Sequence, residues 1–263
     1  MKPFLVDSGR GAIIRGMPIP PRLSAALPTL LRGTVESLFP ATCVLCGAPG
    51  DDGLDLCSGC RNDLPAIAPC CARCALPLPA ALAASGSPNV CGACQRHPPP
   101  FTHCHAAFRY QDPLPSMIAG LKFRGRLNVL RLTGLLLAAS LRESDVPMPA
   151  AIVPVPLHPR RLRKRGYNQA LELARIVGRE LMLPVDDRCC ERVLATRPQA
   201  ELEQKARRKN LRGAFHATVD MRDRHVAILD DVVTTGSTVS ELARVLNRAG
   251  CQRVDVWTVA RTP

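Results

Sequence analysis

Four C-x-x-C pairs constrain the fold of this chain more than any other sequence feature. Ten of its 13 cysteines lie between residues 43 and 104. Each pair lets two thiolates converge on one ion, and two pairs complete the tetrahedral four-sulfur shell that suits zinc. The sequence therefore predicts two structural zinc sites, built either from sequential pairs or as an interleaved cross-brace. The eight ligands are Cys43, Cys46, Cys57, Cys60, Cys71, Cys74, Cys91 and Cys94.

Redox chemistry and disulfides are the alternatives to metal. A single C-x-x-C pair is also typical of redox proteins, but four pairs in series favour metal. No cleavable signal peptide is evident at the N-terminus, so we expect reduced thiols and a cytoplasmic location. Cys70 adjoins Cys71 and could substitute as a ligand. The other cysteines are interpreted as small buried hydrophobes: Cys104, Cys189, Cys190 and Cys251.

The positive charge of the chain is concentrated in its C-terminal part. The net charge is +13, and residues 105–263 carry 27 Lys and Arg against 16 Asp and Glu. The partner that such a positive field favours is anionic: phosphate, pyrophosphate or nucleic acid. Residues 43–104 carry three basic and four acidic residues, so the cysteine region has little to drive phosphate-backbone binding. No apolar run approaches the roughly 18 residues of a membrane span.

The pattern along the chain predicts four parts. These are a disordered tail (1–22), a short helix (23–42), a double zinc ribbon (43–100) and a larger domain (105–263). In the last part, apolar runs alternate with helical periodicity, which predicts an α/β fold with a mostly parallel sheet. Strands are expected at 105–110, 151–155, 191–195, 225–229 and 253–260. Helices are expected near 114–122, 127–142, 169–181 and 237–249, and 201–210 is a charged helix or a mobile segment.

The residues that follow the strand at 225–229 are the most informative in the chain. Two carboxylates, Asp230 and Asp231, end that strand. A hydroxyl-rich loop then runs into a helix, whose free N–H groups and dipole suit a phosphate monoester: Thr234, Thr235, Gly236, Ser237 and Thr238. The carboxylates can accept hydrogen bonds from a sugar diol or help hold Mg²⁺. A helix cap would need only one such residue, so the order favours a sugar-phosphate site.

This segment resembles the signature of type I phosphoribosyltransferases, which bind phosphoribosyl pyrophosphate. The resemblance implies that Asp230 and Asp231 bind the ribose hydroxyls and that Thr234 to Thr238 bind the 5-phosphate. Further motifs are similar to the ComF/GntX family: V-P-V-P-L-H-P-R-R-L-R-K-R-G-Y-N-Q at 153–169, Q-x-x-L-x-x-x-x-R-x-x-N-x-x-x-A-F at 199–215, and C-G-A-C-Q-R-H-P-P-P at 91–100. That family joins a double zinc ribbon to a phosphoribosyltransferase-like domain and is associated with competence. Tyr167 stands where the family usually has Phe.

Two basic segments complete the candidate site. Five cations crowd residues 160–165 after a strand, where they suit a pyrophosphate group. The resemblance makes Arg161 and Arg165 the expected contacts. A second cluster at 205–212 corresponds to the family's flexible lid, with Arg207 as the expected contact. Both clusters could instead be a solvated face or a polynucleotide track.

Three functions compete at this stage. The first is an enzyme that uses Mg²⁺ to transfer a ribose 5-phosphate unit from phosphoribosyl pyrophosphate to an unidentified acceptor. The second is a non-catalytic module that senses this ligand or a related sugar phosphate. The third is a factor that handles single-stranded DNA, with competence proteins as partners, in DNA uptake. The sequence does not identify the acceptor, whose recognition we expect within residues 105–130.

Overall fold

The structure is a computed structural model that describes residues 40–79, 89–120, 127–194 and 211–263. The predicted tail (1–22), nearly all of the predicted N-terminal helix (23–42) and the charged segment at 201–210 lie outside these residues. Arg207 therefore lies outside the described part as well.

Within these described ranges, six strands belong to two sheets. They are β1 (Cys104–Arg109), β2 (Ala151–Pro154), β3 (Cys190–Arg192), β4 (Phe215–Ala217), β5 (His225–Val233) and β6 (Arg253–Arg261). Four of them form one sheet in the order β1-β6-β5-β2, and all neighbours are parallel. The predicted parallel sheet is thus confirmed. β3 and β4 form a separate antiparallel pair.

Seven helices lie within the described residues. They are α1 (Ser58–Asn62), α2 (Gly92–Arg96), α3 (Leu114–Gly120), α4 (Leu127–Arg142), α5 (Pro159–Arg165), α6 (Gln169–Leu181) and α7 (Ser237–Arg248). The structure gives α6 the bounds that its apolar period predicts. Asn168 Oδ1 accepts the Ala170 N–H at 3.1 Å and caps that helix. Leu173 and Val177 of its apolar stripe are fully buried.

Beside the candidate site, the structure corrects one sequence prediction and adds one element that the sequence analysis did not predict. β5 does not end at the two aspartates but continues to Val233, because β6 is equally long and Val233 pairs with Arg261. The basic segment after β2 is a short helix, α5. Pro159 opens it, the His158 side chain caps it, and Gly166 ends it with a φ of 83°. Sequence reasoning missed α5 because its seven residues carry no apolar period.

The cysteine region shares its hydrophobic core with the sheet. Leu54, Leu56 and Leu64 belong to the same buried cluster as Leu136 of α4 and Trp257 of β6. Strand β1 also contacts this region, since the Arg109 N–H donates to the Pro65 carbonyl at 2.9 Å. The boundaries at 43–100 and 105–263 stay a prediction. Within the described part of the chain, no helix is both long enough and apolar enough to cross a membrane.

Candidate functional site

The eight paired cysteines form two separate clusters. The first cysteine cluster holds Cys43, Cys46, Cys57 and Cys60, and the second holds Cys71, Cys74, Cys91 and Cys94. The structure thus groups the pairs sequentially. Within each cluster all four Sγ atoms lie within 4.8 Å of one another.

The sulfur geometry fits zinc. Four sulfurs about 2.3 Å from a central ion stand about 3.8 Å apart in a tetrahedron. The Sγ atoms of Cys46 and Cys57 are 3.6 Å apart, and those of Cys74 and Cys91 are 3.7 Å apart. Two four-sulfur shells of this kind leave no open coordination position, so the zinc that they suit is structural.

Backbone groups favour the thiolate form in each cluster. Burial alone would raise the pKa of the Cys43 thiol. Hydrogen bonds from the backbone N–H groups of Cys57, Cys46 and Leu45 outweigh burial and lower this pKa to about 6. In the second cluster, burial again raises the pKa of the Cys71 thiol. A similar set of backbone N–H donors outweighs burial and lowers this pKa to about 7. One of those donors is the Cys91 N–H, 3.3 Å from the Cys71 sulfur. Each cluster therefore has a thiolate available for metal near neutral pH.

A pocket of about 360 Å³ opens at the carboxyl ends of β2 and β5. This is the edge at which parallel α/β sheets bind their ligands. The pocket brings together most of the predicted site residues from two separate segments of the chain: Asp230, Asp231, Thr234, Gly236, Ser237, Thr238, Arg161 and Arg165. Carboxylates, hydroxyls and guanidinium groups therefore surround one volume.

The two carboxylates are held by the backbone that follows them. Asp230 Oδ1 accepts the Asp231 N–H at 3.0 Å, and Asp231 Oδ1 accepts the Val232 N–H at 2.8 Å. Thr258 Oγ1 of the neighbouring strand donates to the Asp231 carbonyl at 3.0 Å. Burial and the Asp231 charge raise the pKa of Asp230 well above its ordinary value. A nearby cation or hydroxyl donors would therefore stabilise the charged form of Asp230.

The hydroxyl loop, residues 234–238, links β5 to α7. Gly236 has a φ of 72°, a left-handed conformation that glycine adopts without strain, and Ser237 is the first residue of the helix. The Thr235 and Ser237 hydroxyl oxygens are 2.7 Å apart, so Thr235 braces the loop without lining the pocket. The other predicted loop residues line the pocket at the positive end of the α7 dipole.

Helix α5 presents two different faces. Arg161 and Arg165, one turn apart, are half-buried and line the pocket, while Arg160, Arg163 and Lys164 are exposed. The Arg165 guanidinium donates to Gln169 Oε1 at the start of α6. Burial lowers the pKa of Arg161, and the nearby Arg165 charge lowers it further. The pocket-lining pair thus forms an inner face, and the three exposed cations form an outer face.

Arg192 of β3 is a pocket residue that sequence reasoning missed. Its guanidinium carbon lies 5.4 Å from the centre of the Phe215 ring on β4, and only 6% of the residue is exposed. Burial and the Arg161 charge lower its pKa to about 10, although Asp230 opposes that shift. Three arginines therefore line the same pocket as the two carboxylates. No local pattern marks Arg192, because its burial depends on β4, 23 residues later in the chain.

Apolar and aromatic groups close another side of the pocket. Tyr110, which follows β1, and Ile118 of α3 line it. Both lie within the 105–130 segment in which acceptor recognition is expected. These two side chains contribute an aromatic ring and an aliphatic group rather than charge.

Comparison with known proteins covers most of the chain. Residues 34–105 match the double zinc ribbon domain family, and residues 168–263 match the phosphoribosyl transferase domain family. DNA utilization protein YhgH of Escherichia coli strain K12 is 37% identical over 228 residues, 85% of this chain and 98% of the relative. Competence protein F of Haemophilus influenzae is 34% identical over 213 residues, 78% of this chain and 90% of the relative.

Solved structures resemble about half of the chain. One of them is glutamine phosphoribosylpyrophosphate amidotransferase from B. subtilis, complexed with ADP and GMP, which is 18% identical with a TM-score of 0.33. The match covers 48% of this chain and 25% of the amidotransferase chain. Purine phosphoribosyltransferase from Pyrococcus horikoshii is 21% identical with a TM-score of 0.31 and covers 51% of this chain and 73% of its own. With both domain families matched and relatives above 30% identity spanning most of its length, this chain belongs to the ComF family.

Proposed function

We propose that the pocket binds phosphoribosyl pyrophosphate, or a related sugar phosphate, with Mg²⁺ and transfers its phosphoribosyl group to an acceptor. One observation carries this proposal: acidic pair, hydroxyl loop and arginines line a single pocket. The hydroxyl loop takes the 5-phosphate, and the carboxylates of Asp230 and Asp231 accept hydrogen bonds from the ribose hydroxyls. Arg161, Arg165 and Arg192 contact the pyrophosphate.

The donor set of the pocket fits Mg²⁺. Carboxylate oxygens together with phosphate oxygens and water are its usual ligands. Burial and the Asp231 charge raise the pKa of Asp230, and a cation beside the two carboxylates would offset both effects, which supports this assignment. Mg²⁺ would supply charge neutralisation on the pyrophosphate. The protein's own residues orient the sugar and stabilise the departing anion.

The reaction exchanges one bond at the C1 carbon of the sugar for another. The C1–O bond breaks, and pyrophosphate leaves with the electron pair. The acceptor nitrogen forms the C1–N bond and gives up its proton to solvent or to the pyrophosphate. Positive charge develops on the sugar ring next to Asp230 and Asp231, while the arginines neutralise the leaving group, so electrostatic preorganisation supplies the catalysis.

Pyrophosphate release from phosphoribosyl pyrophosphate tests the proposal. Full-length zinc-loaded protein is assayed with Mg²⁺ against a panel of nucleobases. Asp230→Ala and Arg192→Met are each expected to lower the rate about 10²-fold, the usual cost of removing one preorganised charge or donor. Arg175→Met is the matched control. It removes an exposed cation of α6 that pairs with Glu172 at 2.7 Å, and it is expected to act as the wild-type protein does.

The outcomes separate the competing functions. If the wild-type protein binds phosphoribosyl pyrophosphate but releases no pyrophosphate with any base, transfer is ruled out and ligand sensing stands. If it does not bind the ligand at all, the sugar-phosphate assignment of the pocket is wrong. Full activity in Asp230→Ala would equally contradict the role given to the acidic pair.

The outer face of α5 supports a second candidate function, the handling of single-stranded DNA. Arg160, Arg163 and Lys164 are exposed within a stretch of five residues, a density of positive charge that suits a phosphate backbone. The names of the relatives, DNA utilization protein and Competence protein F, agree with a setting in DNA uptake. The two functions use different side chains of one helix, so they do not exclude each other.

A further inference from the structure

Arg261, near the end of β6, joins the second cysteine cluster to the pocket. Its Nε donates to the Cys74 carbonyl at 3.1 Å. Its Nη1 donates to the Val233 carbonyl at 3.2 Å and also to the Thr234 carbonyl. Cys74 is a ligand of the second cluster, and Thr234 is the first residue of the hydroxyl loop. One side chain therefore contacts both sites.

The chemistry of arginine suits this connection. Only 7% of Arg261 is exposed, and a buried charge persists only where its donors are satisfied. The guanidinium is planar and fixes its donors in a rigid fork, so that it sets the positions of the carbonyls relative to one another. A lysine has a single nitrogen at its tip and cannot reproduce that fork.

The position of the Cys74 carbonyl depends on the metal site. Coordination of the Cys74 sulfur restrains its backbone, and the sulfur already lies 3.7 Å from that of Cys91. On the other side, the Val233 and Thr234 carbonyls lie at the start of the hydroxyl loop, most of whose residues line the pocket. The Arg261 guanidinium therefore gives a shift of the cluster a direct route to the loop.

We propose that the second zinc site positions the hydroxyl loop for a sugar 5-phosphate through Arg261. This inference rests on the proposed function of the pocket and adds a structural reason for the ribbon to accompany it. Arg261 is then a positioning residue, since it lies behind the loop and acts through Val233 and Thr234.

The test compares Arg261→Met and Arg261→Lys with a matched control in the full-length protein. Asn247→Ala removes another hydrogen bond across the same interface, from Asn247 Nδ2 to the Pro100 carbonyl at 2.7 Å, at the opposite end of α7 from the loop. Three quantities are measured: zinc content, hydrogen exchange of the amides at 235–238, and affinity for ribose 5-phosphate. Arg261→Lys keeps the buried charge and serves if Arg261→Met does not fold.

We expect both Arg261 variants to retain two zinc ions per chain, exchange the loop amides at least tenfold faster, and bind ribose 5-phosphate about tenfold more weakly. Asn247→Ala should match the wild-type protein in all three. Unchanged loop exchange in the Arg261 variants, or an equal effect in Asn247→Ala, overturns the inference. If the wild-type protein fails to bind ribose 5-phosphate, the proposed function fails instead, and loop exchange alone decides the role of Arg261.

Discussion

Asp230 carries an energetic cost in the folded protein. Burial and the charge of Asp231 raise the pKa of Asp230 above its ordinary value of 3.8. The folded state therefore holds the proton more tightly than the unfolded state. Stability is highest below the ordinary pKa and falls as the pH rises from there through the raised value. Such a cost at a binding site is the usual exchange of stability for function.

Asp230→Asn removes this cost and is expected to stabilise the protein at pH 8 but not at pH 4. For a chain of this size, each kcal/mol recovered raises Tm by roughly 2–4 °C. Thermal unfolding at the two pH values measures the difference. Asp220→Asn is a control of opposite sign, because hydrogen bonds from Arg222 lower the pKa of Asp220. This variant should not raise the Tm of the protein at pH 8. A lower Tm for Asp230→Asn at pH 8 would contradict this account of the site.

At the scale of elements, the two faces of α5 separate the two proposed activities. Replacing Arg161 and Arg165 by Gln removes the inner face and is expected to weaken sugar-phosphate binding while leaving most single-stranded DNA binding. Replacing Arg160, Arg163 and Lys164 by Gln should do the reverse.

Three lost phosphate contacts would reduce the slope of log affinity against log salt by roughly 2 for single strands. Fluorescence anisotropy with a labelled oligonucleotide across a salt series measures this slope. An unchanged slope in the outer-face variant would remove this helix from DNA binding.

Elements with a strong apolar period were predictable, and the short charged ones were not. The stripe of α6 repeats at helical spacing, so its bounds follow from sequence. Helix α5 has one apolar side chain after Pro159 and is defined by its cap and by Gly166. Strand β4 has only three residues, too few for alternation to show.

The acidic pair and the hydroxyl loop were predictable because they are contiguous in sequence. Arg192 and Arg261 were not, because their neighbours lie far along the chain. Arg192 is stacked on Phe215, and Arg261 bonds to Cys74, 187 positions away. Tertiary packing alone creates these parts of the site.

At the scale of the whole molecule, the first cysteine cluster supports the core of the sheet. Cys43, Leu54 and Leu56 are almost fully buried in the same hydrophobic cluster as Trp257 of β6. A short loop-rich segment with two metal sites depends on its ions to hold such side chains in place. Metal loss is therefore expected to loosen the sheet as well as the ribbon.

Trp257 reports this coupling directly, because it is the only tryptophan in the chain. Each leucine released from the core costs about 1.5–3 kcal/mol of stability. The release of Leu54, Leu56 and Leu64 from the cluster that contains Trp257 would therefore lower Tm by at least about 10 °C in a chain of this size. Chelation of zinc, or Cys60→Ser in the first cluster, should therefore shift the Trp257 fluorescence transition by that amount. Cys251→Ser, a cysteine outside both clusters, should leave the transition in place. Complete zinc removal with an unchanged Trp257 transition would show that the sheet folds independently of the ribbon, and the shared core would then contribute little to the stability of the chain.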